Sequence, residues 1–239
     1  MFANLITAAV DFNESVFRNI ATVITSEDLL DDLSEDPGAR AYGEALVAQQ
    51  RQGDDHCAHV IGRPFTYGVS MAPDTVCSAI RSRFSDGTKF GVWYGSLAII
   101  TTVYETMFHW VQFLTDAGME TETAIAERRV FKVRASGILV DLRGKEKEFP
   151  DLVSVHYDFT HRLGDYLYRA GQKGLLVQSA RDADGTNIAT FTPDILSDPR
   201  HQLYISYMLE NGVVRISLDA YPAKKWLDID YVKRQGLLV

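Results

Sequence analysis

In this chain of 239 residues, one carboxylate stands on an otherwise uncharged helix face. Between Leu97 and Thr115 the only formal charge is Glu105. Ile100, Val103, Tyr104, Met107, Val111 and Leu114 recur at spacings of three and four, which predicts a helix with one apolar stripe. At about 100° per residue, Glu105 lies nearly opposite that stripe, and Thr101, Thr102, His109 and Gln112 share its side. Two readings are open. The polar side is the solvated face, the usual fate of such a side, or it lines a cleft. In a cleft that excludes water, a fixed carboxylate stabilises positive charge developing in a transition state.

The elements that would position Glu105 are legible on both sides of it. Ser85-Asp86-Gly87 predicts a turn: Asp can bond its own backbone two residues on, and Gly accepts a positive φ. Phe90 to Tyr94 predicts a short aromatic strand closed by Gly95-Ser96, with Ser96 as N-cap of the helix. Alternation sends Trp93 and Tyr94 to opposite faces. Upstream, Leu5 to Ile24 reads as helical, and Thr25 to Asp28 and Asp36-Pro37 read as helix starts. The polar run Gln49 to Asp55 is a candidate boundary between an N-terminal helical extension, residues 1–55, and a catalytic part, residues 56–239. Val60 to Val69 reads as a strand that Pro64 limits to an edge or a start. Asp74 to Arg81 reads as a short helix or turn.

Downstream, Arg128 to Arg134 and Ile138 to Leu142 read as two strands around Ala135-Ser136-Gly137. Tyr157 to Ala170 reads as a helix, with Leu175 to Val177 and Asn187 to Phe191 as strands. Gln202 to Met208 and Val213 to Leu218 bracket Glu210-Asn211-Gly212, a hairpin signal. Strands and helices interleave without a regular βαβ repeat, so the expected class is α+β, a mixed sheet with flanking helices.

Composition narrows the function. At 46% hydrophobic residues the chain can bury a core. A net charge of −8 argues against direct nucleic-acid binding and against an anionic membrane surface. No leader and no apolar run of about 18 residues is visible, and Cys57 and Cys77 make no disulfide framework, so the expected setting is the cytoplasm. Asp54 to His59 has residue types that suit zinc, but no second cluster completes a ligand set, so no metal is expected. There is no Gly-x-Gly-x-x-Gly fingerprint after a strand and no P-loop, so no permanently bound cofactor is indicated.

An ordered set of residues resembles the RES domain, a family named for an Arg, a Glu and a Ser. An early Arg leads toward an aromatic-rich strand, and a second Arg opens an Arg-aromatic-polar-x-Gly turn. A strand ending in Tyr follows, then a helix bearing Glu, and much later an apolar strand ending in Ser. The corresponding positions are Arg63, Arg83, Tyr94, Glu105 and Ser179, with spacings of twenty, eleven and eleven across the first four. The resemblance spans roughly Val60 to Ile195. The family more often has an aromatic residue directly after the first Arg. Here Pro64 follows, which leaves Phe65 or Tyr67 as the aromatic partner.

The resemblance implies a fold related to the ADP-ribosyltransferase toxins. It also implies a bacterial toxin of a toxin–antitoxin pair, neutralised by an Xre-type helix-turn-helix antitoxin, with NAD⁺ as substrate. The family breaks the nicotinamide–ribose bond by hydrolysis or phosphorolysis. On that reading Glu105 stabilises the oxocarbenium-like ribose, while Arg63 and Arg83 hold the pyrophosphate as planar bidentate donors. Tyr94 stacks on nicotinamide or bonds the ribose, and Ser179 donates to a ribose or phosphate oxygen. The alternatives from the residues alone are a surface turn for Arg83, core packing for Tyr94 and a plain strand end for Ser179. Two other functions share the pattern: ADP-ribosyl transfer to a macromolecule, and a non-catalytic binding protein on the same fold. The N-terminal quarter lies outside the resemblance and is a candidate homo-oligomer surface.

Overall fold

A computed structural model describes residues 2, 4–22, 57–66 and 81–238. The fold is α+β: a mixed seven-stranded sheet with a few helices. In chain order the strands are β1 (Ala9–Ala21), β2 (Trp93–Ser96), β3 (Ala124–Asp141), β4 (Gly174–Gln178), β5 (Thr186–Thr190), β6 (Leu196–Glu210) and β7 (Val213–Ser217). The helices are α1 (Arg63–Thr66), entered through a π-type turn over Cys57–Gly62, then α2 (Ile99–Asp116), α3 (Asp158–Arg169) and α4 (Ile229–Arg234). None of the described helices is long and apolar enough to cross a membrane.

The sheet closes on itself. Its order is β1-β2-β5-β4-β3-β6-β7, and β1 also pairs with β3 along its whole length, from Ala9 opposite Val140 to Ala21 opposite Arg128. The long strand β3 gives its other edge to β6 and, at Val140 and Asp141, to β4. Strands β1, β2, β5, β4 and β3 therefore form a ring, and β6 and β7 extend from it. Trp93, Val133, Leu176 and Ile188, all buried, belong to one core cluster. A second cluster lies under α3, around Phe84, Leu163, Leu167 and Leu175. The third is built from the apolar side of α2 against β6, β7 and α4, through Ile99, Val103, Ile205, Tyr207 and Val232.

Several sequence expectations are revised. Residues 9–21 are a strand rather than a helix. Phe12, Val16 and Asn19 are buried at spacings of four and three, which mimics a helical stripe, but the segment pairs with β3 along its whole length, a tertiary gain that local pattern does not register. The helix starts read at Thr25 and Asp36, and the boundary at Gln49 to Asp55, lie outside the described residues. The strand expected over 60–69 is helical as far as Thr66; Val69 lies outside the described residues. Pro64 accounts for part of this: it fits the first turn of a helix and cannot donate to a ladder. The two strands expected around Gly137 are one strand: Ala135, Ser136 and Gly137 pair in unbroken register with Glu14, Asn13 and Phe12, and the register shifts against β6 lie earlier, at Val130/Phe131 and Lys132/Arg134. Asn211 and Gly212 both have positive φ, as a tight hairpin between β6 and β7 requires.

Candidate active site

Helix α2 carries Glu105, and the first half of its polar side is not solvated, although His109 and Gln112 further along are exposed. Thr101 and Thr102 are 1% and 4% exposed, which decides for the cleft over the open face. A cleft of about 350 Å³, of small-molecule size, is lined by Thr102, Glu105, Thr106 and His109 of α2, by Arg83 and Tyr94, and by Phe17 to Asn19 of β1. Expected Ser96 capping does not occur: the N-cap is Ala98, and Ser96 Oγ donates to Asn187 Oδ1 at 2.6 Å instead.

That bond is the first link of a chain that fixes the carboxylate. Asn187 Nδ2 donates to Glu105 Oε1 at 2.7 Å, and Ser179 Oγ donates to the same oxygen at 2.6 Å. Glu105 Oε2 accepts no hydrogen bond among the described residues. One oxygen is therefore anchored twice and the other is left for a ligand. Ser179 is itself only 3% exposed and does not line the cleft. Its hydroxyl also accepts from the backbone N–H groups of Arg181 and Asp182, at 3.1 and 3.0 Å. Asn187 is a site residue that sequence reading missed: strand β5 gave no signal beyond its β pattern.

The turn bearing Arg83 is held from three sides. Tyr94 Oη accepts from Phe84 N at 2.8 Å and donates to Ser82 Oγ at 3.1 Å. His161 Nε2 meets Ser82 O at 2.8 Å. Gly164 of α3 lies against the Phe84 carbonyl, where an added Cβ would come within 1.9 Å of the oxygen, so only glycine lets helix and turn approach this closely. Arg83 Nη1 donates to Leu152 O and Ser154 O at 3.1 and 2.7 Å, and the guanidinium lies 4.8 Å from the Tyr157 ring centroid. Its Nε and Nη2 make no hydrogen bond among the described residues. Burial lowers the Arg83 pKa, opposed by Tyr157 and Glu105. The Tyr94 hydroxyl is thus spent on the turn, burial raises its pKa strongly, and its ring is what faces the cleft. Trp93 points the other way, as alternation required, with Nε1 donating to Val60 O at 2.9 Å.

Arg63 lies in an adjoining lobe of about 400 Å³, with Arg18, His59, Arg81 and Tyr94. Its Nη1 is 3.5 Å from His59 Nδ1. Gly91 seats α1 here, since an added Cβ would fall 1.9 Å from Pro64 O. Phe65 packs against the core cluster around Trp93, whereas Tyr67 lies outside the described residues. The two lobes share Arg18, Arg81, Ser82, Val92 and Tyr94 as a common wall. Among the described residues Glu105 is the only carboxylate lining either lobe, and the other charged groups there are basic. The run Asp54 to His59, whose residue types suit zinc but where no metal is expected, lies largely outside the described residues, and His59 lines the second lobe.

Helix α4 braces the site from behind. Lys233 Nζ donates to Asp182 Oδ1 at 2.6 Å and Asp184 Oδ2 at 3.0 Å. Thr101 Oγ1 of α2 donates to Asp182 Oδ2 at 2.7 Å. One buried carboxylate thereby joins the turn after Ser179, the helix bearing Glu105 and the C-terminal helix.

The chain belongs to the RES domain family, whose model matches residues 55–210. No curated protein matches it. It is also similar to a chain from the M. tuberculosis MbcT-MbcA toxin–antitoxin complex, at 11% identity and a TM-score of 0.44, over 81% of this chain and 86% of that one. Of the five family positions, Arg83, Tyr94 and Glu105 line one lobe, Arg63 lines the adjoining lobe, and Ser179 stands behind Glu105.

Proposed function

We propose that the protein is a bacterial toxin that cleaves NAD⁺ at the nicotinamide–ribose bond and is neutralised in the cytoplasm by an Xre-type antitoxin. The observation that carries the reading is the doubly anchored Glu105 carboxylate in a cleft whose other described lining groups are neutral or basic. Membership of the RES family supports it.

The chemistry fits those residues. The ribose C1′–N bond breaks with its electron pair leaving on nicotinamide, which departs as a neutral ring without protonation. Positive charge develops on the ribose, and Glu105, fixed by Ser179 and Asn187, supplies the opposing charge without having to reorganise. Water or phosphate then adds to C1′, and a water nucleophile sheds its proton, giving ADP-ribose or its phosphate. Arg83 contributes donors for the pyrophosphate, and the Tyr94 ring offers a flat face to the nicotinamide. NAD⁺ is here a substrate, and no step calls for a metal.

Mass spectrometry of the purified full chain incubated with NAD⁺, with and without phosphate, tests the proposal. Nicotinamide together with free ADP-ribose or ADP-ribose phosphate is the expected result. Intact NAD⁺ would overturn it, and an ADP-ribosylated protein in place of the free product would turn the assignment to ADP-ribosyl transfer.

A further inference from the structure

We propose that Arg18, carried by the N-terminal strand β1 outside the family match, is a ligand-binding residue that receives an anionic diphosphate at the passage between the two lobes. The inference rests on the dinucleotide reading above and extends it to a residue outside the matched span, residues 55–210.

Arg18 sits in the wall that both lobes share. Of its five N–H donors, the one bond made among the described residues is from Nη1 to Tyr94 O, at 2.9 Å. Its Nε is buried without a hydrogen-bond partner. The guanidinium lies 5.2 Å from the Trp93 ring centroid and has no ion pair among the described residues. Burial, with the neighbouring Arg128, lowers its pKa to about 10, so it remains charged at neutral pH.

A purely structural tether between β1 and β2 would explain the bond to Tyr94 O but not the charge. A buried cation without a counter-ion is costly, and a neutral donor would make the same single bond. Among the described residues the lobes supply no compensating acid: the second is lined by Arg18, His59, Arg63 and Arg81 with no carboxylate, and the first holds only Glu105. A ligand that brings its own negative charge resolves the imbalance. A diphosphate suits the position, because it would lie between a group in the first lobe beside Glu105 and a group in the second. The planar guanidinium, tied down at one nitrogen, offers the rest in fixed geometry.

The test uses the full chain with Arg18→Gln and Arg18→Lys, thermal melts to verify folding, and calorimetry with three probes: NAD⁺, ADP, and nicotinamide riboside, which lacks the diphosphate. Loss of a charge-assisted contact should weaken NAD⁺ and ADP binding roughly tenfold to a hundredfold in Arg18→Gln, leaving nicotinamide riboside within about twofold. Arg18→Lys should fall between, and the salt dependence of ADP binding should flatten in Arg18→Gln. Unchanged ADP affinity in a folded Arg18→Gln, or equal weakening of ADP and nicotinamide riboside, would overturn the assignment. If the wild type binds ADP through Arg18 yet leaves NAD⁺ intact, the anion site stands and the proposed reaction fails. If NAD⁺ is cleaved and Arg18→Gln binds like wild type, the reverse holds.

Discussion

Ser179 Oγ donates a 2.6 Å hydrogen bond to Glu105 Oε1, across 74 residues of chain. The serine thus touches the carboxylate rather than the cleft. Its geometry is that of a positioning residue, where the sequence had suggested a direct contact to ribose or phosphate. Ser179→Ala removes one of two donors to Glu105 and two backbone contacts in the turn. NAD⁺ turnover should fall about tenfold, corresponding to roughly 1.4 kcal/mol, with little change in KM. A rise in KM at constant kcat would restore the ligand-contact role.

Arg83 is bonded to two carbonyls in the free protein, so its guanidinium is placed before ligand arrives. A contact made equally in ground and transition states lowers KM without raising kcat. Arg83→Ala should therefore raise KM roughly tenfold or more, with much of the rate recovered at saturating NAD⁺. Steady-state kinetics separate this from a variant whose kcat collapses at unchanged KM, which would give Arg83 a transition-state role.

Lys233 and Asp182 make a testable brace. Burial pushes the Asp182 carboxyl up, but the hydrogen bonds from Lys233 and Thr101 outweigh it, and the net shift is downward. Such a group contributes stability that is full above the ordinary carboxylate range and lost as pH falls through its lowered folded value. Lys233→Met should cost about 2 kcal/mol at pH 7, a figure kept low because the lysine is 33% exposed. The difference from wild type should shrink at acid pH, below the lowered Asp182 value, where the carboxyl is protonated in both. Denaturant melts at the two pH values check this, and a pH-independent difference would mean that only packing was lost.

His109 stands one helical turn beyond Glu105. Burial lowers its pKa, with Glu105 opposing the shift. The unfolded chain therefore binds this proton first as pH falls, so the group costs nothing above the ordinary histidine range and destabilises progressively below it. Its NMR titration midpoint should lie under about 6.5, and lower still in Glu105→Gln. A midpoint above the ordinary value would show that the site favours the imidazolium.

Much of the site was legible because its elements are local. The Ser85-Asp86-Gly87 turn forms as read, with Gly87 at φ 84° and Asp86 Oδ1 accepting from Thr88 N at 2.9 Å. Helix α2 and its stripe follow from the 3.6-residue period. Strand β1 was misread because its character comes from pairing with β3 more than a hundred residues away. Asn187 and Arg18 were missed for a related reason. A strand's pattern reports which side is buried, but not that Asn187 will meet a glutamate on a helix 82 residues earlier, nor that Arg18 will face a cleft assembled by closure of the sheet. Ser96 does not cap because the helix starts two residues later, behind Ala98, and leaves Ser96 in β2, where its hydroxyl bonds Asn187 of β5.

Glu105→Gln tests the central claim most directly. The substitution keeps size and removes charge at the one carboxylate that the described residues give the cleft. NAD⁺ affinity by calorimetry and turnover by nicotinamide release are measured on wild type and variant. The expected result is binding within a few-fold of wild type and turnover lower by roughly a hundredfold or more, as for loss of a preorganised charge that acts only in the transition state. Near-normal turnover in Glu105→Gln would contradict the account, and the active-site assignment would fall with it.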